Sequence, residues 1–89
     1  MTSVWSRDPR VLWRRCGWRT LLLTPTQDRP AILEGPGPAV WDLLAEPVDE
    51  DELVASLSAL FDAEAGAIRG EVLAFLERLE SSGAATRAR

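Results

Sequence analysis

The sequence predicts an α+β fold in which a three-stranded antiparallel sheet is followed by three helices. Three observations support that expectation. The first third of the chain reads at strand period, with short turn-forming segments between the runs. The run Gly35-Pro36-Gly37-Pro38 then breaks the pattern, and the residues beyond it read at helical period. The last helix is the clearest, because Ile68, Val72, Phe75, Leu76 and Leu79 form one continuous apolar stripe. Strands grouped before helices favour α+β layers over a parallel sheet.

Residues 1–9 read as a polar opening without a clear period, loose apart from whatever Val4 and Trp5 touch. Residues 11–15 read as a strand, with Val11 and Trp13 on one face and Leu12 and Arg14 on the other. Cys16, Gly17 and Trp18 mark a turn. Residues 19–24 form the second strand. Its Leu21-Leu22-Leu23 centre predicts burial on both faces, or on one face beneath a helix. The segment Pro25-Thr26-Gln27-Asp28-Arg29-Pro30 is turn chemistry, and residues 31–33 are a short third strand.

Gly37 is expected as the cap of the first helix and Pro38 as its first residue, where a missing N–H costs nothing. Val40, Trp41 and Leu44 share a face, and the helix must stop before Pro47. Asp49 opens the second helix at capping-box spacing to Glu52, and the carboxylates of residues 49–52 favour the positive end of the helix dipole. Its expected apolar face is Leu53, Val54, Leu57, Leu60 and Phe61. Asp62 is expected to cap the third helix, and Gly83 to end it. Leu73 lies off the main stripe, so this helix has apolar surface that also faces elsewhere. Residues 84–87 either add a short strand or trail away.

Composition narrows the function classes. Eighty-nine residues make one domain, too small to enclose a deep catalytic cavity. The 46% apolar and 27% charged fractions are globular values, which argues against wholesale disorder. A single cysteine, Cys16, permits no internal disulfide and fits a reducing, cytoplasmic home. Neither a secretory signal nor an apolar run of about 18 residues is read, so no membrane partner is expected.

With no histidine and no lysine, the usual general base and a Schiff-base amine are missing, and zinc has no ligand set. Cys16 lacks a histidine partner and reads as structural, while the 49–52 carboxylates read as a helix cap rather than a metal site. No cofactor and no enzyme activity are expected. Six arginines against two aspartates give residues 1–33 a net charge of +4, whereas residues 34–80 carry −10. A third helix with Glu64, Glu71, Glu77 and Glu80 against Arg69 and Arg78 would repel phosphates, so no nucleic-acid partner is expected. Peptide recognition remains: the third strand is placed at a sheet edge, which either accepts another strand or stays unused.

The run Ala31-Ile32-Leu33-Glu34-Gly35-Pro36-Gly37-Pro38-Ala39-Val40-Trp41-Asp42-Leu43-Leu44 resembles a signature of PqqD-like proteins. The segment Pro47-Val48-Asp49-Glu50-Asp51-Glu52-Leu53-Val54 is similar to that family's start of the second helix, and residues 67–83 to its closing helix. The resemblance spans about residues 9–86, leaving 1–8 as an N-terminal extension and 87–89 as a C-terminal tail. Glu34 departs from the family's frequent asparagine, and Ala84-Ala85 from its usual bulky apolar pair.

The resemblance implies a winged-helix-like bundle behind the sheet and a non-catalytic role. Such proteins bind the leader of a ribosomally synthesised precursor peptide by strand addition and present it to a modifying enzyme, often a radical S-adenosylmethionine protein. By position, the implied binding residues are Ala31, Ile32 and Leu33 on the strand and Val72, Leu73, Phe75, Leu76 and Leu79 on the helix. Arg69 and Arg78 are placed to pair with leader carboxylates, and Trp41 is a core residue. An exposed edge strand also allows a homodimer. The alternative function is a small winged-helix regulator or protein–protein adaptor.

Overall fold

The computed structural model describes residues 3–88. Strand β1 (Val4–Arg7) is followed by β2 (Leu12–Cys16), β3 (Arg19–Leu23) and β4 (Ala31–Leu33). Helix α1 (Gly37–Leu43), strand β5 (Val48–Asp49) and helix α2 (Glu50–Phe61) come next. Helix α3 (Ala65–Ser81) and strand β6 (Ala85–Ala88) complete the chain. The α+β class holds, but there are two three-stranded antiparallel sheets rather than one, ordered β2-β3-β4 and β5-β1-β6. Helices and strands interleave in the second half, where β5 was not expected and β6 was one of two open alternatives.

The second sheet corrects the reading of residues 1–9 as loose. Strand β1 is its centre: Trp5 is opposite Val48 on one side and Arg87 on the other, and is fully buried. The Trp5 indole Nε1 donates to Glu50 Oε1 at 3.2 Å, and the Arg87 guanidinium lies 4.6 Å from the ring centroid. One buried tryptophan in four residues gives no local period, and its strand partners lie far along the chain. The residues after Gly83 take the strand alternative as β6, with Ala84 and Ala85 buried.

The predicted sheet forms with the expected order. Gly17, at φ +62°, occupies the first position of the two-residue β2–β3 turn, a conformation that glycine adopts without a Cβ clash. Thr20, Leu22 and Thr24 face the core, while Leu21 and Leu23 stay half-exposed, so β3 is covered on one face only. Val11 is buried just ahead of β2, and β2 itself is exposed along its length, Cys16 included. Trp13 is 45% exposed and meets Trp41 edge-on, with centroids 6.3 Å apart.

Among the helices, Val40, Trp41 and Leu44 are buried as expected, although α1 starts one residue early with Pro36 as N-cap. Asp49 caps α2 by accepting from the backbone N–H of Asp51 at 2.9 Å. Leu53, Val54 and Leu57 are buried, but Leu60 and Phe61 are exposed and are not core residues. Asp62 does not cap α3: it ends α2 in the left-handed region at φ +50°, and Glu64 is the N-cap of α3 without a side-chain bond. The end of α3 is a Schellman arrangement. Gly83 N–H bonds Glu80 O at 3.1 Å and Ala84 N–H bonds Leu79 O at 2.8 Å. Among the described residues no helix is long and apolar enough to cross a membrane.

Candidate functional site

Strand β4 stands at the end of its sheet, hydrogen-bonded to β3 on one side only. Its register opposes Ile32 to Leu21 and Leu33 to Thr20. Leu33 therefore faces the helices with the buried Thr20, while Ile32, 55% exposed, shares the outer face with Leu21. Gly35, at φ +58°, turns the chain away from β4, and Gly37 N–H bonds Glu34 O at 3.0 Å.

That departure opens a groove of about 880 Å³ between the β4–α1 segment, the end of α2 and the exposed side of α3. Leu33, Val40, Leu57 and Val72 are its buried apolar lining. Phe61, Ile68 and Phe75 are partly exposed along it. Its ionisable residues are Glu34, Glu71 and Arg78. Glu34 is 3.9 Å from Arg19, whereas Glu71 and Arg78 are exposed and form no ion pair among the described residues. The Arg78 guanidinium lies 5.6 Å from the centroid of Phe75, close enough for a cation–π contact. Apolar lining, an open strand edge and two separated charges suit capture of an extended chain.

Five of the predicted binding residues line this groove: Ile32, Leu33, Val72, Phe75 and Arg78. The other five lie outside its lining. Ala31 is half-buried in β4, and Leu76 and Leu79 are buried in the core. Leu73 is half-buried and packs against that core. Arg69 reaches the start of α2, with Nη1 2.8 Å from Asp51 Oδ1 and 3.8 Å from Glu50 Oε2. The stripe on α3 thus divides: Leu76 and Leu79 anchor the helix, and Ile68, Glu71, Val72, Phe75 and Arg78 border the groove.

The family described as "Coenzyme PQQ synthesis protein D (PqqD)" matches residues 19–84. The chain belongs to the PqqD family. The resemblance read from the sequence is thereby shown, and the PqqD match contains every residue that lines the groove. Strands β1, β2 and β6 lie outside the matched residues. No curated protein and no solved structure matches the chain.

Sequence reasoning missed Phe61, Ile68, Glu71 and the α1 side of the groove as site residues. For Phe61 a signal existed, since it directly precedes the αL residue that ends α2, where a helix side chain can leave the core. Glu71 carried none beyond its place one residue before Val72 on the groove side of α3.

Proposed function

We propose that this PqqD-family chain is a non-catalytic adaptor that binds the leader of a ribosomally synthesised precursor peptide. The leader adds as a strand along the open edge of β4, lies across the apolar groove against α3, and is presented to a modifying enzyme, such as a radical S-adenosylmethionine protein. Backbone pairing supplies sequence-tolerant affinity, and the side chains that fall into the groove supply selectivity. The observation that carries this reading is the coincidence, among the described residues, of an unpaired strand edge with an apolar groove of about 880 Å³ bordered by Phe75 of α3.

The lining also fits a binding role. Its three ionisable groups are two glutamates and an arginine, with no serine, threonine or cysteine beside them to act as a nucleophile. A cytoplasmic location follows from the reducing setting that the exposed Cys16 favours and from a partner that acts on newly made peptide.

The test is amide NMR of the purified chain titrated with the leader of a precursor peptide encoded beside its gene. Saturable shifts at Ile32–Leu33, Phe61 and Val72–Arg78 are expected. A folded protein whose spectrum does not respond to intact leader would end the leader-binding reading.

A further inference from the structure

The groove has an ordered charge pattern as well as an apolar lining. On α3, Glu71, Phe75 and Arg78 succeed one another along the groove, with the aromatic ring between an acid and a base. Both charged side chains are exposed, and neither forms an ion pair among the described residues. That differs from Arg69, nine residues before Arg78, whose charge is held by Asp51 at 2.8 Å. Seven residues of helix separate Glu71 from Arg78, about 10 Å along the axis.

An extended chain beside β4 advances about 3.4 Å per residue and turns every second side chain to the same face. Side chains that both face α3 must therefore be an even number of positions apart. Two positions span about 7 Å and four about 14 Å, each within reach of the Glu71–Arg78 separation for long charged side chains, but only a spacing of four leaves a midway residue on the same face. The residue midway between them then faces Phe75.

Resting on the leader-binding reading above, we infer that this groove selects an extended segment with a central apolar residue, flanked two positions away by a basic residue on one side and an acidic residue on the other. The basic residue pairs with Glu71, the acidic residue with Arg78, and the apolar residue packs on Phe75. With the direction of the segment set by backbone pairing along β4, the opposite charges of the groove select the order in which the basic and acidic residues occur. A segment with the two charges exchanged would set like charges against each other at both ends.

Three synthetic peptides test this, with Ser/Thr flanks and the cores Lys-Thr-Leu-Thr-Glu, Glu-Thr-Leu-Thr-Lys and Gln-Thr-Leu-Thr-Gln. Each is titrated by NMR against the native chain and against the double variant Glu71→Arg/Arg78→Glu, whose changes fall on exposed positions. One charged order is expected to bind at least about threefold more tightly than the neutral peptide and the other more weakly, the scale of exposed ion pairs. The double variant should exchange the two charged peptides in rank, and about 0.5 M salt should collapse the difference.

Equal binding of all three peptides overturns the inference and leaves the leader-binding reading standing. The same holds if the authentic leader binds and none of the three does. If neither the authentic leader nor any of the peptides binds the folded chain, both readings fall together.

Discussion

Gly37 packs against the ring of Phe75: a Cβ added at Gly37 would stand 3.4 Å from Phe75 Cζ and 3.2 Å from Leu33 Cβ. The residue that begins α1 therefore sets how closely the aromatic wall of α3 approaches β4. Alanine in place of glycine raises helix propensity, but here it presses on a buried strand residue, and such overpacking costs about 1–3 kcal/mol. Gly37→Ala is expected to be destabilising by up to about 2 kcal/mol in urea unfolding, since the propensity gain of at most about 1 kcal/mol offsets part of that cost. It should also weaken leader binding by displacing Leu33, which lines the groove. An affinity equal to that of the native chain would mean that Leu33 keeps its place in the groove when a Cβ is added at Gly37.

Phe61 and Leu60 are neighbours at the end of α2 with opposite expected consequences. Phe61 is 48% exposed and lines the groove, whereas Leu60 is 62% exposed and does not. Covering the exposed half of a phenylalanine is worth about 1–2 kcal/mol, so Phe61→Ser should weaken leader binding by roughly tenfold. Leu60→Ser should leave affinity unchanged, and both variants should unfold within about 0.5 kcal/mol of each other. Isothermal titration of the pair would read this directly. Equal affinities for the two variants would place the bound peptide away from the end of α2.

Much of the architecture was legible because its signals are local. The stripe from Ile68 to Leu79, the Gly35–Pro38 break, the Asp49 cap and the Gly83 stop each act within a turn or two of helix, and each lies where its chemistry predicts. The second sheet was not legible, because Trp5 finds Val48 and Arg87 only when the ends of the chain meet. For the site, strand, helix and edge position could be read, but not the division of the α3 stripe. Val72 and Phe75 reach the groove while Leu76, one position on, is fully buried, and a helical repeat alone does not say where the stripe is cut. Arg69 and Arg78 looked equivalent in sequence, yet among the described residues only Arg69 has acidic partners within reach, across the packed helices.

Trp5 gives the correction of the first residues a measurable consequence. Its side chain is fully buried, with the indole nitrogen bonded to Glu50 and Arg87 stacked on the ring. Trp5→Ala should cost about 3–5 kcal/mol, the range for truncating a buried aromatic residue. For a domain of this size that is a large share of the total stability. Urea titration followed by far-ultraviolet circular dichroism would measure it. A loss below about 1 kcal/mol would return residues 1–9 to a loose extension.

Asp8, in the turn between β1 and β2, supplies an acid-sensitive contribution. Its Oδ1 accepts from the Arg10 backbone N–H at 2.9 Å and from Arg10 Nε at 3.1 Å, and Oδ2 accepts from Arg10 Nη2 at 2.9 Å. The guanidinium bonds first, and then the backbone bond, hold this carboxyl at about 2, below its ordinary 3.8. A depressed pKa means that folding favours the ionised form. The stabilisation is therefore present above the ordinary value and is lost as the pH falls from 3.8 through about 2. Asp8→Asn retains an acceptor but does not titrate. Melting temperatures taken from about pH 5 downward should fall more steeply for the native chain than for Asp8→Asn in that window, with parallel curves above it. Parallel curves throughout would mean that the Asp8–Arg10 bonds contribute equally to the unfolded chain, as two residues so close in sequence can.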